Sequence, residues 1–146
     1  MNCIICDLTK IEKVQLKATK YMCPIKDLSY DDRLHRLKLP TLNYRRIRGD
    51  MIELYEIITG KYDSNYDLQL YLRSELVHAF VTRGNYYKLV PQHCRYDLRK
   101  YYFTNRVVPV WNSLPNDVVM ADNINIFKNG LDNFWSSYDF VYLFRA

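Results

Sequence analysis

Tyr30-Asp31-Asp32 places two adjacent carboxylates behind an aromatic ring, and paired carboxylates are what holds two Mg²⁺ ions for phosphoryl transfer. Their setting points elsewhere. Ser29 with Asp32 forms a helix-start pattern, so both acids fall in a first turn, where they complement the helix dipole. Cys3 and Cys6 form a CxxC pair, with Cys23, His93 and Cys94 as further conceivable ligands. A structural zinc site wants four N/S ligands in two compact pairs. Only the first pair is compact, and the adjacent His93 and Cys94 would crowd one metal. The thiols therefore read as buried or incidental, and a redox CxxC would need a strand-to-helix setting absent here. His35, His78 and His93 have no glycine-flanked serine and no paired acid at useful spacing, so no triad emerges. Gly84 stands alone between Arg83 and Asn85, which is not a phosphate loop. No catalytic residue, metal ligand or cofactor is expected, and the chain by itself reads as a non-enzyme.

The basic residues make the stronger case. Lys10, Lys13, Lys17 and Lys20 recur at helical steps and share one stripe. Such a stripe can track phosphates without reading sequence, or it can be an ordinary solvated face. Arg45, Arg46 and Arg48 open a later helix, where Arg46 can pair with Asp50 four residues on. Arg83, Lys88, Arg95, Arg99, Lys100 and Arg106 are interleaved with Tyr86, Tyr87, Tyr96, Tyr101 and Tyr102. Alternating cations and rings suit single strands or hybrid duplexes, through phosphate neutralisation and stacking. The opposing possibility is a hairpin whose tyrosines cover the core while its arginines face water. The candidate nucleic-acid-binding set is thus Lys10, Lys13, Lys17, Lys20, Arg45, Arg48, Arg83, Lys88, Arg95, Arg99, Lys100 and Arg106.

Charge is blocked along the chain. Residues 1–48 hold 11 Lys/Arg against 5 acids, 49–82 hold 2 against 6, 83–106 hold 6 against 1, and 107–146 hold 2 against 4. Two basic blocks separated by acidic ones suggest a sided field able to attract an anionic polymer. With 146 residues and 49% hydrophobic content, the expectation is one domain spanning 1–146 with a real core. The longest apolar run, Phe140-Val141-Tyr142-Leu143-Phe144, is far short of the roughly 20 residues of a membrane helix. No membrane partner is expected. The opening MNCIICDLTK reads as no secretory signal, and 4 unevenly spaced cysteines do not make a disulfide scaffold. An intracellular location, nuclear or cytoplasmic, is the expectation.

The elements that would position these residues are mainly helical. Thr9 with Glu12 looks like a capping box opening a helix whose apolar face is Ile11, Val14, Ala18 and Tyr21, stopped at Cys23-Pro24. Ser29 opens a second, with Leu34 and Leu37, ending before Pro40. A third runs from near Thr41 to Gly60 with the stripe Tyr44, Ile47, Met51, Leu54 and Ile58. Residues 61–84 mix turn formers with apolar residues and suggest one short helix near 66–72. NYYKLVP reads as a strand paired with CRYDLRKYYF, giving a short β-hairpin near residues 85–103. Phe103, Val107, Val110, Trp111 and Leu114 return to helical spacing, and Pro109 is tolerable if that helix begins near Asn105 or later. Asn123 or Asn125 caps a last helix with Ile126, Phe127, Leu131, Phe134 and Trp135 inward, and both tryptophans belong to the core. The expected fold is mainly α: about five helices and one hairpin.

IEKVQLKATKYMCPIKDLSYDDRLHRLKLPTLNYRRIRGDMIELYEIITG, then TRGNYYKLVPQHCRYDLRKYYFTNRVVPVWNSLP, then INIFKNGLDNFW resemble, in that order, the segment following the polymerase core in animal non-LTR (LINE-type) retrotransposon reverse transcriptases. The blocks cover about residues 10–136, and YRRIRGDM, TRG and VWNSLP together carry the likeness. The resemblance implies a carboxy-terminal extension beyond fingers and palm, contributing to the thumb side or to the grip on template and primer. The implied partners are RNA, DNA or both, and an upstream reverse transcriptase core. This chain starts at Met1 without that core, so RNA-directed DNA polymerase activity is not carried over, nor is an endonuclease. Tyr30-Asp31-Asp32 does not supply it, because the polymerase motif has a residue between the aromatic and its paired aspartates. A structural or protein-interaction module without nucleic-acid affinity is the alternative, and a non-functional remnant of an element the third.

Overall fold

The computed structural model describes residues 3–61, 70–73, 87–93, 95–96, 99, 101–136, 138 and 141–142. Among these are six helices: α1 (Cys3–Lys20), α2 (Tyr30–Leu37), α3 (Leu42–Ile58), α4 (Phe103–Ser113), α5 (Asn116–Val119) and α6 (Ile124–Ser136), with a 3₁₀ turn at Cys23–Ile25. The mainly α class holds. The chain divides into two compact units, one of Met1–Arg48 with Trp135–Ala146, the other of Gly49–Phe134. The short helix expected near 66–72 falls almost wholly outside the described residues.

In the first unit, α1 begins at Cys3, six residues before the expected capping box, so Thr9 is interior. The carboxylate of Glu12 reaches across rather than back. It accepts the Tyr30 hydroxyl at 2.6 Å and the Leu42 amide, at the start of α3, at 3.0 Å. The expected apolar face is also turned outward: Ile11, Val14, Ala18 and Tyr21 are exposed, while Glu12 and Thr19 are buried. Polar groups can face inward here because each has a partner. Besides the Glu12 bonds, Gln15 Nε2 donates to the Pro40 carbonyl at 3.2 Å, and Thr19 Oγ1 donates to the Leu16 carbonyl at 3.1 Å. These hydrogen bonds hold the described part of the inward side of α1.

Ser29 caps α2 as expected, its hydroxyl accepting the Asp32 amide at 3.2 Å and donating to Asp32 Oδ2 at 2.6 Å. The helix closes at Lys38, which takes a left-handed φ of 53°, with the Leu39 amide bonded back to the Leu34 carbonyl at 3.0 Å. Arg33 is buried. Its Nη1 donates to the Leu28 carbonyl at 3.0 Å, and its guanidinium lies 5.7 Å from the Tyr30 ring centroid. Thr41 begins α3: its hydroxyl accepts the Tyr44 amide at 3.2 Å and its own amide donates to the Val141 carbonyl at 3.0 Å. Tyr44 meets Trp135 edge-on at 5.7 Å.

The second unit holds the larger apolar core, with Met51, Leu54, Tyr55, Leu89, Val107, Val108, Trp111, Leu114, Val118, Val119, Phe127 and Leu131 all buried. Tyr55 stacks on Phe127 at 4.3 Å and donates its hydroxyl to the Ala121 carbonyl at 2.6 Å. Trp111 also lies within 6.0 Å of Phe127, centroid to centroid, so the core placement of both tryptophans holds. Gly60, at a φ of 69°, ends α3, and the Lys61 amide returns to the Glu56 carbonyl at 3.0 Å. Asn123 caps α6, accepting the Asn125 and Ile126 amides at 3.0 and 2.9 Å. Gly130 lets α6 approach closely: a Cβ there would lie 3.4 Å from a Val118 methyl. Ile126, expected inward, is exposed.

Among the described residues, the expected β-hairpin near 85–103 is not borne out. Leu89 pairs instead with Leu72 in an isolated antiparallel bridge, flanked by Arg73 N–H to Lys88 O at 2.7 Å and Val90 N–H to Tyr71 O at 3.0 Å. The other edge of Leu89 is taken by a side chain. The Asn112 amide accepts from Leu89 N–H and donates to Leu89 C=O, both at 2.9 Å, standing where the second strand was expected. Among the described residues of the expected partner strand, Arg99 N–H donates to Tyr96 O at 3.1 Å and Tyr102 N–H donates to Arg99 O at 3.3 Å. Because α4 starts at Phe103, Pro109 is interior and supplies no N–H for the Asn105 carbonyl.

Candidate nucleic-acid interface

Of the residues that could have done chemistry, two have partners within the fold and others lie outside the described residues. Asp31 and Asp32 sit in the first turn of α2, and Asp32 is engaged by Ser29. His35 packs its ring against Tyr142 at 4.2 Å, His93 is exposed, and His78 lies outside the described residues. Cys3 and Cys6 fall in α1. Among the described residues, no group of three His, Cys, Asp or Glu side chains is placed to hold a metal ion.

Two of the motifs behind the resemblance hold structural contacts. In VWNSLP, Trp111 Nε1 donates to the Tyr87 carbonyl at 2.8 Å, Asn112 grips Leu89, and Leu114 is buried. In YRRIRGDM, Met51 is buried and Asp50 receives both arms of Arg106, Nε to Oδ2 at 2.9 Å and Nη2 to Oδ1 at 2.8 Å. The expected Arg46–Asp50 pair is therefore replaced by a contact across 56 positions, and Arg46 Nε is buried without a hydrogen-bond partner. A bidentate guanidinium–carboxylate pair fixes geometry better than an i, i+4 contact can. TRG lies outside the described residues.

The candidate cations fall into three groups. Lys10, Lys13, Lys17 and Lys20 are exposed along one side of α1, and the one acid within 8–20, Glu12, is turned inward. Arg45 is exposed and Arg48 half-buried in the first turns of α3. In the second unit, Arg106 is committed to Asp50, whose hydrogen bond raises its pKa and keeps it charged, and it lies 5.6 Å from the Phe103 ring centroid. Lys88 is half-buried beside the bridge. Arg83 and Lys100 lie outside the described residues.

Arg95 and Arg99 remain at the surface, and their neighbours decide what that surface is. Tyr96 is 78% exposed and Tyr102 is 66% exposed, so neither covers the core. Tyr101 is half-buried. The backbone is anchored from α4: Asn105 Nδ2 donates to the Arg99 carbonyl at 2.6 Å, and Arg106 Nη1 donates to the Tyr101 carbonyl at 3.4 Å. Arg95 and Arg99 are thus exposed together with two open rings, and the carbonyls of Arg99 and Tyr101 are held from α4.

No protein-family model, curated protein or solved structure matches this chain. No helix among the described residues is long and apolar enough to cross a membrane.

Proposed function

We propose that this chain is a non-catalytic helical module that contacts single-stranded or hybrid nucleic acid through Arg95, Tyr96, Arg99 and Tyr102. The observation supporting this reading is the exposure of Tyr96 and Tyr102 beside Arg95 and Arg99. Open aromatic faces give bases something to stack on, and arginines neutralise phosphates or stack themselves. Such contacts tolerate any sequence, which suits a grip rather than a reader. In the setting implied by the resemblance, the module follows the polymerase core of a non-LTR reverse transcriptase, braces its thumb side and touches template and primer. The lysines of α1 would add a sequence-independent attraction.

The test is fluorescence anisotropy with a labelled single-stranded RNA and an RNA–DNA duplex over a range of salt. Tyr96→Ala with Tyr102→Ala is expected to weaken single-strand binding tenfold or more, since each stack contributes about 1–3 kcal/mol. Arg95→Ala with Arg99→Ala should lower the single-strand salt slope by about 1.4, the value for two phosphates. Binding unchanged in both double variants would overturn the assignment. The second reading, a protein-interaction module, is favoured by the outward apolar row of α1.

A further inference from the structure

We propose that Asp50 and Arg106 are a positioning pair for Tyr102, so that Arg106 serves nucleic-acid binding through that ring and not as a phosphate contact. The inference rests on the proposed function and names what aims one of its two rings. Arg106 holds the chain on both sides of Tyr102. Its backbone N–H donates to the Tyr102 carbonyl at 2.9 Å, and its Nη1 donates to the Tyr101 carbonyl at 3.4 Å. Each peptide unit is planar, so fixing the units before and after a residue fixes the direction of its Cα–Cβ bond. Tyr102 is 66% exposed, so these backbone bonds, more than packing, set where its ring points. The Tyr102 N–H in turn donates to the Arg99 carbonyl at 3.3 Å, which also accepts Asn105 Nδ2 at 2.6 Å. A cation and a ring of the proposed interface are thereby tied to the first turn of α4.

Asp50, in α3, keeps the guanidinium in that place. Its carboxylate takes Nε at 2.9 Å through Oδ2 and Nη2 at 2.8 Å through Oδ1, from a side chain only 14% exposed. A planar fork held at two points has one orientation, and here it leaves Nη1 on the Tyr101 carbonyl. The guanidinium carbon also lies 5.6 Å from the Phe103 ring centroid. Nε, Nη1 and Nη2 thus each carry a bond within the protein, and the adjacent carboxylate offsets the charge that a phosphate would seek. Lysine at this position would keep the charge but replace the fork by a single point donor. The two roles therefore separate: a phosphate contact survives Arg106→Lys, and a brace does not.

The experiment is the anisotropy titration of the full chain with labelled single-stranded RNA, extended to Arg106→Lys, Arg106→Ala, Asp50→Asn and Tyr102→Ala. Affinities are compared at the high-salt end, where long-range attraction is screened. Arg106→Lys and Asp50→Asn are each expected to weaken binding about fivefold, the low end for one lost stack. Neither should weaken it further in a Tyr102→Ala background, since the ring they aim is gone. Arg106→Ala should leave the salt slope at its native value, because no phosphate contact is removed. In NMR spectra of the free chain, the Tyr102 amide nitrogen, which shares a peptide unit with the Tyr101 carbonyl, should shift in both Arg106→Lys and Asp50→Asn. Native-like binding in Arg106→Lys or Tyr102→Ala, or a slope lowered by about 0.7 in Arg106→Ala, would overturn the inference. A further loss in the Tyr102→Ala background would assign the pair to general stability and overturn it too. These outcomes leave the proposed function standing, which falls, together with this inference, on unchanged binding in the two double variants above.

Discussion

Glu12 offers the sharpest test of how the first unit is held together. Its carboxylate is 1% exposed and receives two donors, the Tyr30 hydroxyl and the Leu42 amide. Glu12→Ala leaves both without an acceptor and removes a negative charge from the start of α3. Hydrogen bonds to a charged group contribute about 1.5–3 kcal/mol each, so the expected loss is about 3–6 kcal/mol. That is a large part of the roughly 5–15 kcal/mol of a typical domain. Glu12→Gln keeps the shape but offers a single acceptor oxygen, and about half the loss is expected. The assay is urea unfolding combined with hydrogen exchange at the Leu42 amide, which reports this unit specifically. Tyr30→Phe should cost about 1.5–3 kcal/mol in the native background and almost nothing alongside Glu12→Ala, since the partner is already gone. A loss below about 1 kcal/mol for Glu12→Ala, with Leu42 protection intact, would refute the reasoning, because surface substitutions typically fall within that range.

Other consequences follow from the same geometry. Burial, followed by the hydrogen bond to Glu12, holds the Tyr30 hydroxyl well above its ordinary pKa of 10.0. The fold favours the neutral phenol, so this contribution is full below about pH 10 and is lost as pH rises toward the folded-state value. Alkaline unfolding curves should therefore show a steeper decline for the native chain than for Tyr30→Phe. Asn112→Ala strands the N–H and C=O of Leu89, and a loss of about 2–5 kcal/mol with faster Leu89 amide exchange is expected. Pro109→Ala restores an N–H within α4 on an exposed side, and the melting midpoint should rise by the equivalent of about 1–3 kcal/mol.

The sequence determined those parts of the protein that neighbouring residues can settle. Ser29, Thr41, Gly60 and Asn123 mark helix ends where expected, because a cap is a bond between a residue and an amide two or three positions away. The stripes of α3 and α6 put Met51, Leu54, Phe127, Leu131 and Trp135 inside, since burial there follows helical period. Tertiary structure decided the rest. Thr9 with Glu12 looks like a cap, but Glu12 serves α2 and α3, which lie 18 and 30 positions on. No local pattern distinguishes such a carboxylate from a solvent-facing one. The face of α1 inverted for the same reason, because polar groups with distant partners can be buried and apolar ones left out. Asn112 took both backbone groups of Leu89, and Arg106 took the partner that spacing gave to Arg46. The alternation of cations and tyrosines was written in the sequence. Whether those rings open to solvent was not, because exposure is fixed by what packs from elsewhere in the chain, here an α4 that holds the carbonyls of Arg99 and Tyr101 and leaves Tyr96 and Tyr102 uncovered.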